Sequence, residues 1–329
     1  MEKKMTARMW LALLVLYVAW GSTYLAIRYA VESLPPFFMT GTRFLVAGLV
    51  VYAWRRLAGD PAPGRRQWRS AAIIGFFMLV GGIGGVSWAE QSVASGITVL
   101  IVAAVPLWIV LVDALRPGGK HPSWQTAGGL LVGMTGILIL AEPALGSGGE
   151  GGNHLASVIV LLLATLSWAI GSVYSRGADL PKSPLLGAGM EMLAGSAGLY
   201  IIGLLSREAG RLDLAAVSTR SLLGMAYLIV VGSLVGFAAY TWLLRVAPTS
   251  TVATYAFVNP IVAVVLGSIL AQEVLTPQVL IALPVILTAV ALIHFAGRKK
   301  SIATSRHAAA PARPAIARSI DKQSTTHYS

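Results

Sequence analysis

The chain has no cysteine and few histidines, so most of the residue types that bind metals or form covalent cross-links are missing. Without cysteine, no disulfide, thiolate nucleophile or cysteine-ligated metal site can form. The five histidines are scattered over 329 residues and show neither an HExxH motif nor another ligand spacing. The sequence therefore predicts no metal site and no cofactor.

Charged residues are also scarce. They make up 12% of the chain, whereas 56% of the residues are hydrophobic and the mean hydropathy is +0.74. A soluble domain carries about 25% charged residues, so this balance indicates an integral membrane protein. The net charge of +12 would suggest nucleic acid in a soluble protein. Here the basic residues lie in short segments between apolar runs, so we expect a lipid bilayer and no nucleic acid as a partner.

Ten apolar runs follow one another along the chain. Each has roughly 18–25 residues, which is long enough to cross a bilayer as a helix. They begin at Trp10, Pro36, Ser70, Val93, Trp124, Leu155, Pro184, Ser221, Thr249 and Pro277. The fold class that this pattern predicts is an all-α membrane protein with ten transmembrane helices.

The two halves of the chain repeat one another. The matched landmarks are Trp20 with Trp168, Arg28 with Arg176, Gly81-x-x-x-Gly85 with Gly232-x-x-x-Gly236, and Pro106 with Pro260. Each copy holds five spans, and because five is odd, the second copy must enter the membrane upside down relative to the first. We therefore predict two inverted five-helix repeats, an arrangement typical of secondary transporters.

This repeat divides the chain into four parts. Residues 1–145 form the first repeat, and residues 153–298 form the second. Between them, residues 146–152 are rich in glycine and are predicted to be a flexible link. Residues 299–329 are rich in Ala, Pro, Ser and basic residues, a composition typical of a disordered tail.

The basic residues predict the orientation in the membrane. With ten spans, the side that holds both termini carries 20 Lys and Arg residues, and the opposite side carries 4. Because Lys and Arg accumulate in cytoplasmic loops, both termini are predicted to be cytoplasmic.

Arg43 and Glu191 are the two deepest formal charges in the predicted spans. The segments 36–52 and 184–200 align without a gap, and this alignment places Arg43 opposite Glu191. A charge at the bilayer centre costs at least about 2.5–3.5 kcal/mol on insertion scales, so each should face a partner or water. We expect the two to approach each other or to share one cavity. A structural ion pair and a role in transport both remain open.

Two stretches carry a family resemblance. WGSTYLAIR at Trp20–Arg28 and ESLPPFFMTGTRFLVAG at Glu32–Gly48 resemble the EamA family of the drug/metabolite transporter superfamily, especially its bacterial inner-membrane members. The resemblance covers roughly residues 8–298. It implies ten helices in inverted repeats around a central cavity, and efflux of small metabolites or amino acids driven by an ion gradient.

The candidate substrate site combines aromatic, hydroxyl, amide and charged side chains near the middle of the spans. Its predicted residues are Trp20, Ser22, Tyr24, Arg43, Trp168, Glu191, Tyr255 and Asn259. Trp20 and Trp168 occupy equivalent repeat positions and are expected to face each other across the cavity. For the two tryptophans the alternative is a lipid-facing or interhelical packing role, and for Ser22 and Tyr24 it is a hydrogen bond across helices. Glu90, Asp113, Glu142 and Glu273 fall at span ends and are predicted to be solvated.

These observations predict a secondary active transporter that exports small metabolites such as amino acids, or amphipathic drugs, across the bacterial inner membrane by alternating access. A small-molecule substrate is implied, and a coupling proton or other ion is left open. A passive channel or facilitator is the alternative function. A membrane-embedded enzyme is less favoured, because the spans hold no paired catalytic groups such as two Asp or a Ser–His pair.

Overall fold

The computed structural model describes residues 6–116, 124–146, 152–247, 249–252 and 254–308, and these residues form helices joined by turns and irregular segments, with no β-strand among them. The long helical units are α1 (Ala7–Ala30), α2 (Pro36–Leu57), α3 (Arg65–Ala89), α4 (Ser95–Leu115), α5 (Trp124–Gly146), α6 (Gly152–Ser175), α7 (Pro184–Leu205), α8 (219–246), α9 (Tyr255–Leu270) and α10 (Pro277–Ala308). The predicted all-α class is confirmed.

Seven of these units are long and apolar enough to cross a membrane: α1, α2, α3, α4, α6, α7 and α8. Three shorter apolar helical stretches, Thr126–Leu140, Tyr255–Leu270 and Pro277–Leu292, lie in α5, α9 and α10. The chain is therefore a multi-pass membrane protein.

Two predicted boundaries fall partly beyond the described residues. Within the predicted link at 146–152, residues 147–151 lie outside the described part of the chain. Of the predicted tail at 299–329, the residues up to Ala308 belong to α10, and residues 309–329 lie outside the described part.

Two helices are broken near their middle. In α1, the helical hydrogen bonds divide at Ser22, between the segments Ala7–Gly21 and Thr23–Ala30. The hydroxyl of Ser22 donates to the carbonyl of Val18 at 2.6 Å. Such bonds to the preceding turn compete with the helical ladder and bend helices. In α4, the break at Ala103 and Ala104 precedes Pro106, which has no N–H to donate.

The helices α3 and α8 each contain a π-helical segment, Phe76–Gly84 and Leu228–Val235. Such segments are rare and often lie at functional sites. Glycine lets a neighbouring helix approach each of them. A Cβ at Gly81 would lie 2.2 Å from the Ser167 hydroxyl on α6, and a Cβ at Gly236 would lie 2.4 Å from Trp20 Nε1 on α1.

Helices α2 and α7 pack antiparallel along most of their length. A Cβ at Gly41 would lie 3.4 Å from the Tyr200 ring, and one at Gly48 would lie 3.1 Å from Leu193. As residue numbers rise on α2, those of the facing residues on α7 fall, which fixes the direction. Helices α5 and α10 form a second antiparallel pair, in which Gly136 faces Ile286. Close packing of this kind, at small residues, is the usual way in which membrane helices associate.

Candidate functional site

The ring of Trp20 is the centre of an aromatic cluster that joins three helices. Its centroid lies 5.6 Å from Phe237 and 5.1 Å from Tyr240, both on α8, and 5.1 Å from Tyr255 on α9. The indole Nε1 donates a hydrogen bond to the carbonyl of Gly232 at 3.2 Å. Trp20 thus lies against the π-helical segment of α8, where its position is fixed by stacking and by one directed bond.

Arg43 lies next to this cluster and is 5% exposed. Its Nε donates to the hydroxyl of Ser233 at 2.9 Å, and its Cζ lies 4.9 Å from the centroid of the Phe44 ring. Within the described residues, no ion pair of 4 Å or less includes Arg43. A buried cation thus faces a neutral hydroxyl and an aromatic ring, and its positive charge is not neutralised by a carboxylate there.

Three further predicted residues lie near Trp20 and Arg43. The Ser22 hydroxyl shares a hydrogen bond of 2.7 Å with the Tyr227 hydroxyl on α8. Tyr24 interacts electrostatically with Arg43 and Tyr255. Asn259 on α9 is 8% exposed, and its Oδ1 is buried without a hydrogen-bond partner in the described residues. Together with Trp20, Arg43 and Tyr255, these residues bring six of the eight predicted positions to the crossing of α1, α2, α8 and α9, which we call the crossing site.

Trp168 and Glu191 lie elsewhere, against α3. A Cβ at Gly82 would lie 3.0 Å from the Trp168 ring, and a Cβ at Gly75 would lie 2.6 Å from the carbonyl oxygen of Glu191. Among the described residues, Trp168 makes no ring contact with Trp20, whose aromatic partners are on α8 and α9. The structure therefore separates these two positions from the crossing site.

The expected ion pair between Arg43 and Glu191 is not formed, and the packing of α2 on α7 explains why. Because Gly41 faces Tyr200 and the helices are antiparallel, Arg43 lies level with Gly198. Glu191 is seven residues further along α7, which is about 10 Å at about 1.5 Å of rise per residue. Arg43 and Glu191 therefore lie at different levels of the α2–α7 pair and do not face each other.

Two carboxylates that sequence reasoning missed close the ends of helices. Glu273, in the α9–α10 connection, accepts from the Ser95 amide and hydroxyl at 2.8 Å each and from the Gly96 amide at 3.1 Å. Glu208 is 0% exposed and accepts from the amides of Phe37 and Phe38 at 3.2 and 2.9 Å. Each carboxylate satisfies amides at a helix N-terminus, which a hydrophobic environment leaves without water. Both are distant in sequence from the helix they cap, so no local pattern marks them.

The prediction that all four span-end carboxyls are solvated is wrong for Glu90, which is 0% exposed. Glu273 is half-buried by the helix that it caps. Asp113 is half-buried, and its Oδ1 lies 3.1 Å from Arg116 Nε and 3.6 Å from Arg176 Nη1. The Glu142 side chain lies outside the described residues. Span ends thus differ, because neighbouring elements can bury a side chain that a hydropathy profile places at the membrane interface.

An apolar cavity of about 140 Å³ lies beside the crossing site. Its walls come from α2 near Val51, from α7 near Ala188 and from α8 near Phe237. Phe237 also contacts Trp20, so its ring belongs both to the aromatic cluster and to the wall of the cavity. None of the eight predicted residues lines this cavity.

Comparison with known proteins decides the family. The sequence model of the EamA-like transporter family matches this chain twice, at residues 8–141 and 155–295. The chain belongs to the EamA-like transporter family. The resemblance carried by the Trp20–Arg28 and Glu32–Gly48 stretches is thereby confirmed.

Individual relatives agree with this assignment. The chain is 39% identical to the uncharacterized inner membrane transporter YedA of Escherichia coli K12, over 86% of this chain and 89% of YedA. It is 26% identical to a chloroplastic WAT1-related protein of Arabidopsis thaliana, over 87% of this chain and 69% of that protein. One solved crystal structure superposes with a TM-score of 0.59 at 20% identity, over 89% of this chain and 100% of the other, and shows a shared fold alone. With its apolar helices, the chain is a multi-pass transporter-family protein of the inner membrane.

Proposed function

We propose that this protein is a secondary active transporter that exports small amphipathic solutes, such as amino acids or drugs, across the inner membrane by alternating access. The observation that carries the proposal is the crossing site, where a buried, unneutralised Arg43 and an unpartnered Asn259 Oδ1 lie beside the Trp20 aromatic cluster. A charged or polar group inside a membrane protein is by default a functional hypothesis. Family membership supports transport rather than catalysis.

The chemistry of the crossing site suggests the substrate class. Arg43 would attract a carboxylate, and the rings of Trp20, Tyr240 and Tyr255 would hold an apolar or cationic part of the same solute. Asn259 Oδ1 would accept a hydrogen bond from a donor such as an ammonium group. An amino acid, or a drug with the same arrangement of groups, combines all three features.

Alternating access would follow from ten spans in two inverted repeats, with both termini in the cytoplasm. Three observations support this layout: the family model matches each half of the chain, α2 and α7 pack antiparallel, and π-helical segments lie at equivalent places in α3 and α8. Each segment receives the Trp-bearing helix of the other half, α1 on α8 and α6 on α3. Reciprocal packing of this kind gives two similar arrangements that differ in which side is open.

A thermal-stability screen of the purified protein against a metabolite library tests the proposal. A solute that binds only the native state raises the Tm, and one bearing a carboxylate should lose its effect in Arg43→Gln. The solute found in this way is then followed into proteoliposomes. Saturable, gradient-dependent flux supports the transporter, whereas linear flux that ignores the gradient would favour the passive channel.

A further inference from the structure

Glu90 is the first residue after α3, and its carboxyl group is enclosed by protein. The residue is 0% exposed, and neither Oε1 nor Oε2 has a hydrogen-bond partner in the described part of the chain. The other carboxyls that cover helix ends, Glu208 and Glu273, accept at least two hydrogen bonds each. Glu90 therefore differs from them, because it caps nothing and pairs with nothing there.

The groups around Glu90 come from several elements. From α1, Arg28 Nη1 donates to the backbone carbonyl of Glu90, while its guanidinium forms no ion pair of 4 Å or less with the carboxyl. Tyr24, also on α1, interacts with it electrostatically. From the α9–α10 connection, Glu273 is the nearby like charge. The α6 residues of the adjoining buried cluster, such as Val158, are apolar, and the His154 side chain lies outside the described residues.

An ionised carboxylate that is buried without a hydrogen-bond partner has lost its hydration and gained no compensating interaction. The neutral acid is therefore the favoured form. Burial raises the pKa of the Glu90 carboxyl well above its usual range, Glu273 raises it further, and Arg28 opposes the shift. The group is therefore protonated at a pH at which exposed glutamates are ionised.

We propose that Glu90 is a proton-binding site, which holds a proton in this conformation and releases it to water when the end of α3 opens. On release, the carboxyl O–H bond breaks, the proton passes to water, and the electron pair stays on the carboxylate. Arg28 is already at the Glu90 backbone and can turn to the ionised carboxylate. The inference rests on the proposed transport function and makes the proton its coupling ion.

Infrared difference spectroscopy tests the site without any solute. At pH 7, the spectrum of the wild type minus that of Glu90→Gln should contain the C=O stretch of a neutral carboxylic acid. The matched control, Glu32→Gln, removes a partly exposed glutamate that pairs with Arg220 at 3.4 Å, and its difference spectrum should show ionised carboxylate bands. Carboxylate bands in the Glu90 difference spectrum would overturn the proposal.

The neighbours supply a second test that does not depend on the folding of Glu90→Gln. In a titration of the neutral-acid band, Glu273→Gln should lower the midpoint, because it removes a like charge. Arg28→Gln should raise the midpoint, because it removes an opposite charge. A midpoint that moves in neither variant would contradict the placement of the proton on Glu90.

Because the chain has no cysteine, a single thiol can report the opening. Val93 is 0% exposed and lies three residues beyond Glu90, so Val93→Cys should react slowly with a maleimide while this end is closed. The ratio of reaction rates in the wild-type and Glu90→Gln backgrounds should rise at least several-fold as the pH passes the Glu90 midpoint. The ionisation of the thiol itself cancels in this ratio. A ratio that stays constant with pH overturns the proposed coupling between Glu90 protonation and opening, even if solute transport is demonstrated. A failed transport assay, in contrast, would contradict the proposed function and leave the infrared result for Glu90 intact.

Discussion

Arg43 on α2 donates a hydrogen bond to Ser233 on α8, with 2.9 Å between Nε and Oγ. The bond joins the first half of the chain to the π-helical segment of the second half. The neighbouring Gly232 makes it possible, since a Cβ there would lie 3.2 Å from Arg43 Nη2 and 2.9 Å from Thr23 Cγ2. The deepest cation of the chain is thus fixed by a hydroxyl and not by the acid at its equivalent repeat position.

The Arg43–Ser233 bond should appear as energetic coupling. A hydrogen bond to a charged group contributes about 1.5–3 kcal/mol, so Ser233→Ala should destabilise the protein by up to that amount. A double-mutant cycle of Ser233→Ala with Arg43→Gln should show the effects to be non-additive. The measurement is the free energy of unfolding in detergent. Arg43→Gln with Glu191→Gln serves as the control cycle and should be additive within about 0.5 kcal/mol. Strong coupling in that control would mean that the two charges meet.

Gly236→Ala should displace Trp20 from the aromatic cluster. The new Cβ would lie 2.4 Å from Nε1 and 2.8 Å from Cδ1, so the rigid indole must move away from its bond to Gly232. Overpacking of this kind costs about 1–3 kcal/mol. The loss should appear as a lower Tm together with a shift in tryptophan fluorescence. Gly128→Ala is the matched control, because no atom lies within 4 Å of its Cβ and alanine favours helix by about 0.5–1 kcal/mol. Equal losses in both variants would argue against close packing at Gly236.

Glu208→Ala should destabilise the start of α2. It leaves the amides of Phe37 and Phe38 buried without an acceptor, and each unsatisfied group costs about 1–3 kcal/mol. Glu208→Gln keeps one acceptor oxygen and should recover part of the loss. Hydrogen exchange at these amides is the measurement. Unchanged protection in Glu208→Ala would show that Glu208 is not the cap.

Asn259→Leu should separate stability from binding. Its Oδ1 has no partner among the described residues, so an apolar side chain of similar size should leave the Tm unchanged or raise it. The same change removes the acceptor from the crossing site, so the Tm shift produced by a bound solute should disappear. A clear drop in the Tm of the solute-free protein would instead assign Asn259 a structural role.

Reporter fusions test the ten-span layout and its orientation. The basic residues lie 20 to 4 on the side of the termini, so a reporter after Arg298 should be active in the cytoplasm. A reporter inserted in the 146–152 segment should be active in the periplasm. Periplasmic activity after Arg298 would contradict the layout, since one span more or fewer places the termini on opposite sides.

The sequence by itself determined the membrane class, the family and most helix positions. A run such as 36–52 is too apolar to be exposed to water, so its transmembrane character can be predicted from composition alone. The structure begins α2 at Pro36, as predicted. Six of the eight predicted site residues meet at the crossing site, and their role in substrate binding stays a prediction. These properties depend on local hydropathy and on landmark residues, both of which can be identified in the linear sequence.

Only the tertiary structure decided the partners. A membrane helix is apolar on every side, so its sequence does not mark which face meets which neighbour, and small residues such as Gly41 and Gly232 set the approach. The repeat made Arg43 equivalent to Glu191, but the packing of α2 on α7 places them about 10 Å apart along the helix axis. The span-end position of Glu90 likewise predicts a solvated side chain, but the fold buries it completely. The equivalence of two repeat positions and the position of a residue within a span can be predicted from the sequence. The contacts and the burial of its side chain depend on where antiparallel helices cross.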